Sequence, residues 1–293
     1  MAGTPHAVVA GVSDTHPEVS AHVIDWAADE AVARGLPLHL VHAQEWPRGT
    51  SPDAGPDHPA HVWSKHFLSH GEALLDDALL AATAGRPALA VTTEQAAGEP
   101  VRVLREAAET AGLLVIGARR LTGVEGVLAG SGKGHALAGH LPCPVALVPE
   151  PAPGVTEYAP VVVGVDGSSA SRVALDLAFA EADAAKAGVV AVEVRRPRDY
   201  TWAEPPENTE LNLSEVLAGY GERYPDIDVS QEILSGRPAL VLASVAREAR
   251  CLVVGSRGLG GFRGMLLGST TRALIHHTDC PLIIAPLRPP QGR

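Results

Sequence analysis

Six glycines, three arginines and a run of hydroxyl side chains fall between residues 255 and 272, with no acidic residue among them. Glycine is needed where the backbone must approach another group closely or take a positive φ angle. A segment of this composition can wrap around an anion. A flexible surface loop whose glycines only permit turns is the alternative. The glycines are Gly255, Gly258, Gly260, Gly261, Gly264 and Gly268.

This glycine-rich segment leads into a predicted helix that begins with Ser269, Thr270 and Thr271. The first amides of a helix have no carbonyl partner within it, and they lie at the positive end of the helix dipole. The side chains of Arg257 and Arg263 add charged donors. In a chain of net charge −11 this basic stretch stands out. The pattern therefore predicts a site for an anion, most simply the phosphates of a nucleotide.

A carboxylate, Asp166, follows the apolar run Val161–Val165. That run is uninterrupted and β-branched, which is typical of a strand buried on both faces. At the end of such a strand a carboxylate can reach a ribose hydroxyl, a base edge or a phosphate-bound cation. Alternatively, Asp166 serves the positive end of the helix that follows.

The chain contains one pattern twice. Ala7–Asp14 resembles Val161–Gly167 at an offset of 153. We therefore predict two copies of one domain, with roughly fifteen extra residues of the first copy within Trp46–His70. Four further pairs of blocks support the repeat: Gly35–Val41 with Gly188–Val194 at 153, Gly98–Pro100 with Gly236–Pro238 and Leu113–Gly117 with Cys251–Gly255 at 138, and Cys143–Pro144 with Cys280–Pro281 at 137.

Each copy alternates short apolar runs with helix-length amphipathic stretches, which predicts an α/β fold with a five-stranded open parallel sheet and helices on both faces. The domains are expected at residues 1–150 and 158–293, joined by a proline-rich linker. In the first copy, Pro17 begins a helix and Gly35 follows its end. In the second, strands are predicted at Val161–Val165, Val189–Val194, Ile227–Ile233, Cys251–Val254 and Leu282–Ala285, and helices from the cap at Ser168 or Ser169 to Gly188, at Ala239–Arg250 and at Ser269–His277.

Composition narrows the class of protein. The chain is 46% hydrophobic and 19% charged, as in globular domains. Its negative charge argues against nucleic acid or an anionic membrane as a partner. No apolar run approaches membrane-spanning length, and Met1–Val12 lacks the basic patch and long apolar core typical of a signal peptide, so neither a membrane span nor a signal peptide is expected. Three widely spaced cysteines suit a reducing compartment, so a cytoplasmic protein is expected.

The residues Gly164-Val-Asp-Gly-Ser168, the spacing Gly255-x₂-Gly258-x₉-Gly268-Ser269 and the trailing Cys280-Pro281 resemble the universal stress protein family, specifically its tandem two-domain members. The resemblance implies a sheet order of 3-2-1-4-5 and an internal pseudo-dimer of the two domains, commonly through the fifth strands. It also implies that the bound ligand is ATP, with Mg²⁺ as its counter-ion. It places ATP between Asp166 and the glycine loop, with adenine at the backbone of Val194. The implied site residues are Gly164, Val165, Asp166, Val194, Gly255, Ser256, Arg257, Gly258, Gly261, Arg263, Gly268, Ser269, Thr270 and Thr271.

The first copy departs from this motif. Ser13 stands at the aspartate position, although Asp14 is adjacent, and Arg120 replaces the second glycine. Arg120 would block close backbone approach, or it and Lys133 would pair directly with phosphate. We expect the second copy to bind nucleotide well and the first to bind it weakly, differently or not at all. The corresponding residues of the first copy are Gly11, Val41, Gly117, Arg119, Gly130 and Ser131.

Histidines His58, His61, His66 and His70 crowd the first copy without a cysteine or a well-placed acid, so we do not predict a metal site. No Ser/His/Asp order or carboxylate pair forms a catalytic set. The sequence therefore favours a non-catalytic, ATP-binding regulator of the stress response, acting through an unknown protein partner or a homodimer. The alternatives are a slow adenine-nucleotide hydrolase and a nucleotide-free interaction scaffold.

Overall fold

Apolar strands and the helices between them form two units. A computed structural model of the chain describes residues 7–14, 17–46, 55, 58, 61–118, 137–139, 141–149, 159–195, 213–259 and 267–287. The first unit is Met1–Leu137 with Cys143–Glu150, and the second is Ala138–Pro142 with Pro151–Arg293. No helix in the described part is both long and apolar enough to cross a membrane.

The described part of the first unit contains a parallel sheet in the order β3-β2-β1-β4-β5. Its strands are β1 (Val8–Val12), β2 (Leu38–Gln44), β3 (Val91–Ala97), β4 (Leu113–Ala118) and β5 (Val145–Pro149). The helices between them are α1 (Pro17–Arg34), α2 (His61–Thr83) and α3 (Pro100–Ala108).

The second unit repeats this sheet in the order β8-β7-β6-β9-β10, again parallel throughout. The predicted α/β class and the order 3-2-1-4-5 are thus confirmed. The strands are β6 (Val161–Val165), β7 (Val189–Arg195), β8 (Val229–Ser235), β9 (Cys251–Gly255) and β10 (Leu282–Ala285). The helices are α4 (Ser169–Ala185), α5 (Leu213–Arg223), α6 (Pro238–Val245) and α7 (Ser269–His277), with a 3₁₀ turn at Ala246–Glu248 after α6.

Strands β6, β9 and β10 form the core of the second unit. β10 is buried at every position, and β6 and β9 are buried except at Gly164 and Gly255. Burial on both faces explains why these segments are continuous apolar runs rather than alternating ones. Parallel strands end at one edge, so the loops after β6 and β9 are brought together there.

Helix α4 begins as expected and ends earlier than expected. The Ser168 hydroxyl caps it by accepting a hydrogen bond from the Ser171 amide at 3.1 Å. The helix ends at Ala185 rather than at Gly188, because Lys186 takes the left-handed conformation with φ 55°. Gly35 takes it after α1, with φ 63°. Glycine adopts this conformation without strain, whereas a lysine there gives no sequence signal.

Strand pairing corrects the alignment of the two copies. Val8 pairs with Leu38 and Val161 pairs with Val189, so the second strands match at an offset of 151 rather than 153. Val41 therefore corresponds to Val192 and not to Val194. The glycines Gly35 and Gly188 misled the alignment because only the first ends a helix.

The extra residues of the first unit lie mainly in a helix. The offset falls from 151 at the second strands to 138 at the third, so the first unit has 13 extra residues rather than fifteen. Helix α2 has 23 residues and its counterpart α5 has 11. The extra residues therefore lie largely in helix α2, which begins within the predicted segment Trp46–His70 and continues to Thr83.

Two other predicted bounds were wrong. The third strand of the second unit is Val229–Ser235 rather than Ile227–Ile233, since a turn occupies residues 225–227. The helix predicted at Ala239–Arg250 is α6 followed by the 3₁₀ turn.

Candidate functional site

A cavity of about 620 Å³ opens at the carboxyl edge of the second sheet. The ends of β6, β7 and β9 and the starts of α6 and α7 form its walls. In a parallel α/β sheet this edge, next to the switch in strand order, is the usual place for a ligand. The cavity therefore lies where the sequence predicted the site.

Eleven of the fourteen residues proposed for the second copy line this cavity, which brings the loops after β6 and β9 together. Ser256 does not line it and is 1% exposed. Gly261 and Arg263 lie outside the described residues. The eleven are Gly164, Val165, Asp166, Val194, Gly255, Arg257, Gly258, Gly268, Ser269, Thr270 and Thr271.

The cavity also has six lining residues that the sequence reasoning missed. Val192 could have been found, since it lies two residues before Val194 and so on the same face of β7. Pro238 belongs to a repeated block, and Leu242 follows it by one helical turn. The remaining missed residues are Val254, Leu259 and Leu267.

The start of α7 forms the polar end of the cavity. Gly268 is its N-cap with φ −68°, and its amide donates to the Ser256 carbonyl at 2.9 Å. The Thr271 hydroxyl donates to the Gly255 carbonyl at 2.9 Å, which holds α7 on β9. Ser269 and Thr270 therefore remain as the hydroxyls for a ligand, together with the first amides of the helix.

Two of the three described motif glycines serve close packing. A Cβ on Gly255 would lie 2.7 Å from the backbone carbon of Ala170 in α4. A Cβ on Gly258 would overlap the carboxylate of Asp166. At Gly268 a Cβ would meet nothing closer than 3.5 Å. None of the three glycines has a positive φ angle. Glycine is therefore needed at Gly255 and Gly258 for close approach of the backbone to another group, and not for an unusual backbone conformation.

Asp166 binds two backbone amides with its two carboxylate oxygens. Oδ1 accepts from the Ser168 amide at 3.0 Å, and Oδ2 accepts from the Leu259 amide at 3.1 Å. The side chain therefore serves the start of α4, as one interpretation held, and also the glycine loop. It does this while lining the cavity.

Within the described residues, the three arginines of the basic stretch differ in their position relative to the cavity. Arg257 lines the cavity, whereas Arg272 is exposed on α7 and does not. Among the described lining residues, Arg257 is offset by Asp166. Of the three arginines in the basic stretch, Arg257 therefore faces the cavity, Arg272 does not, and Arg263 lies outside the described residues.

Both units have an apolar floor at the carboxyl edge of the sheet, formed by the apolar side chains that pack against the glycine of the first strand. A Cβ on Gly11 would meet Leu104 at 3.3 Å and Ile116 at 3.5 Å. Gly164 faces Leu242 at 3.1 Å and Val254 at 3.3 Å in the same way. Two other proposed residues lie in strands of this unit: Val41 pairs with Gly11 and Gly117 with Val148. The proposed residues outside the described part are Arg119, Gly130 and Ser131, and Arg120 and Lys133 also lie there.

Histidines and cysteines fit structural roles. His66 and His70 stack with ring centroids 6.4 Å apart, and His70 lies 3.4 Å from the carboxylate of Asp14. Within the described ranges no group of three or more potential ligands could hold a metal ion. Cys143 and Cys280 are free and buried, and burial raises the pKa of each thiol to about 12.

The chain is similar to known proteins over almost its whole length. The universal stress protein family model matches it twice, at residues 6–149 and 157–286. Universal stress protein Rv2005c of Mycobacterium tuberculosis is 33% identical over 298 residues, covering 96% of this chain and 97% of that protein. Universal stress protein Rv2623 of the same species is 34% identical over 300 residues, covering 95% of each. The chain therefore belongs to the universal stress protein family and carries two copies of its domain.

A solved structure shares the fold. The crystal structure of a universal stress protein from Archaeoglobus fulgidus superimposes with a TM-score of 0.69 and covers 96% of this chain and 97% of its own. At 19% identity this similarity concerns the fold alone. Family membership supports a role in the stress response.

Proposed function

We propose that the second unit binds an adenine nucleotide, with ATP as the expected ligand, and that the protein is a non-catalytic regulator of the stress response. The supporting observation is the cavity of about 620 Å³, which has an apolar floor and the start of α7 at its other end. Its volume is in the range of small-molecule sites. It joins an apolar wall to anion-binding groups, as a nucleotide requires.

The lining residues fit the parts of ATP. Val192, Val194 and Leu242 offer an apolar surface for the base. The amides at the start of α7, with the hydroxyls of Ser269 and Thr270, would hold phosphate groups. Mg²⁺ would be bound chiefly through these phosphates, which is its usual mode in nucleotide sites.

Regulation would follow from binding one state better than another. The Leu259 side chain lines the cavity and is 70% exposed, so a ligand would change what this loop presents to solvent. We propose that occupancy alters the conformation or association of the protein, including the pairing of the two domains, its homodimer and a protein partner. Sedimentation with and without ATP tests this: an unchanged profile, together with unchanged amide exchange, would contradict it.

The direct test is to denature freshly purified protein and identify any released nucleotide by chromatography. We expect ATP or a close relative, nearer one than two molecules per chain. Two equal sites in a titration, or nucleotide in the first unit only, would contradict the proposal that the second unit binds nucleotide better than the first. Multiple-turnover release of ADP or AMP would instead favour a hydrolase, and failure to bind any adenine nucleotide would favour a scaffold.

A matched pair of variants locates the site. Gly268→Val places a side chain at the cavity wall, where the added Cβ has ordinary contacts, so we expect a folded protein with at least about tenfold weaker ATP binding. Gly130→Val makes the same change at the matching position of the first copy and serves as the control. Isothermal titration measures ATP affinity in both variants. Equal losses of affinity, or no loss in either, would show that the site lies elsewhere.

A further inference from the structure

The glycine loop of the second unit crosses directly over a carboxylate. Asp166 Oδ2 accepts from the Leu259 amide at 3.1 Å, and a Cβ on Gly258 would overlap the same oxygen. A carboxylate that accepts backbone N–H groups forms strong, charge-assisted hydrogen bonds. The loop can take this path only while residue 258 has no side chain.

A second contact fixes the same loop to the start of α4. The Ser168 hydroxyl lies 3.4 Å from the Arg257 carbonyl, and the Ser168 amide donates to Asp166 Oδ1 at 3.0 Å. Residues 257–259 are thus attached to the β6–α4 junction at two points. Both contacts join protein groups directly, so holding the loop on this path requires no ligand group.

We infer that Asp166 is a positioning residue, which holds the backbone of residues 257–259 over the cavity, and that Gly258 is required by this carboxylate rather than by the ligand. The inference deepens the proposed function and rests on it only for the effect on ATP affinity. A preformed loop lowers the entropic cost of binding.

The first copy supports the pairing of these two residues. Ser13 stands where the second copy has Asp166, and Arg120 stands where it has Gly258. A copy without the carboxylate lacks the group that excludes a side chain in the loop. The two departures from the motif therefore reduce to one cause.

A double-mutant cycle read at the Leu259 amide tests the inference. In Asp166→Ser the amide loses its charged acceptor, so we expect its hydrogen exchange to rise by about tenfold and its proton resonance to move upfield. Gly258→Ala should displace the carboxylate and give a similar change. The double variant should resemble Asp166→Ser alone, since the cause of the overlap is gone. The control is Gly219→Ala in α5, where an added Cβ meets nothing within 4 Å.

The outcomes separate the inference from the proposed function. Unchanged Leu259 exchange in Asp166→Ser, or additive effects in the double variant, would overturn the positioning role. Weaker ATP binding with unchanged exchange would also overturn it, because the carboxylate would then act on the ligand directly. If the wild type binds no ATP, the proposed function fails while the exchange cycle still decides the role of Asp166.

Discussion

The two units share an apolar floor at the carboxyl edge and differ in what stands above it. Gly11 against Leu104 repeats Gly164 against Leu242. After the first strand, however, the first unit has Ser13, whose amide donates to the Ser20 hydroxyl at 3.3 Å, and the second has Asp166 holding two amides. The apolar floor is therefore common to the fold, whereas the carboxylate directly after the first strand is present in one unit only.

The helix pairs that follow show the same division between a shared position and different chemistry. At the offset of 151, Asp25 of α1 corresponds to Asp176 of α4. Asp25 binds the Arg86 guanidinium at 2.6 Å, whereas Asp176 accepts from the Tyr220 hydroxyl at 2.9 Å. Phe179 stacks on Tyr220 with ring centroids 4.4 Å apart. The first unit thus links α1 to the residue Arg86 just after α2 by charge, whereas the second adds aromatic stacking to an exposed ion pair between Asp176 and Arg223 at 3.5 Å.

The largest effect should come from removing the aromatic centre of the second unit. Phe179 is 0% exposed, so Phe179→Ala should lower the free energy of unfolding by about 3–5 kcal/mol. Tyr220→Phe, which removes only the hydroxyl, is the control and should cost about 1 kcal/mol. Urea denaturation measures both. Equal losses would mean that the hydrogen bond, and not the stack, joins these helices.

Two glycines of the motif should separate fold from site. Gly255→Ala forces a Cβ against the Ala170 backbone and should destabilise the protein by about 1–3 kcal/mol. Gly268→Ala has ordinary contacts and should cost less than about 1 kcal/mol. Denaturant midpoints give the comparison. A Gly255→Ala variant as stable as the wild type would refute the packing role of this glycine.

The contact of Arg86 with Asp25 and Asp29 in the first unit should stabilise the fold less than the aromatic contact of the second unit, and it should be sensitive to salt. Burial lowers the pKa of Arg86, but its hydrogen bonds to Asp25 and Asp29 outweigh that effect and raise it. Because both carboxylates are more than half exposed, Arg86→Ala should cost only about 1–2 kcal/mol. The loss should shrink in high salt, measured by urea denaturation. The loss of stability in Phe179→Ala should not shrink in high salt. Equal salt dependence of the two variants would contradict the contrast between the charged contact of the first unit and the aromatic contact of the second.

Particular residues show what the sequence could predict. Val161–Val165 and Leu282–Ala285 were placed correctly because strands buried on both faces have a continuous apolar pattern. The sheet order followed from family resemblance, and most of the cavity wall from loops that must meet at one edge. The alignment of the second strands slipped because Lys186 ends its helix in a conformation that sequence assigns to glycine.

The link between Asp166 and Gly258 could not be read from the sequence. It depends on the path of a loop relative to a side chain that follows another strand, which no local pattern encodes. The commitment of Thr271 to the Gly255 carbonyl is of the same kind. Pattern therefore located the site, while contacts between segments distant in sequence decide what each residue does there.

A small effect within any one pH unit should appear where the two units are alike. Cys143 and Cys280 each precede the final strand of their unit, and burial raises the pKa of both thiols from 9.0 to about 12. In the unfolded chain the thiols ionise first, so each one's contribution to stability is complete below pH 9 and is lost as the pH rises toward 12. Between pH 9 and 10 the loss should be about 1 kcal/mol for each thiol. Urea midpoints of Cys143→Ala and Cys280→Ala should therefore fall less steeply with pH than that of the wild type, and by equal amounts. A fall of unchanged steepness in either variant would show that its thiol is not shielded from ionisation, and the likeness of the two units at this position would then be one of sequence only.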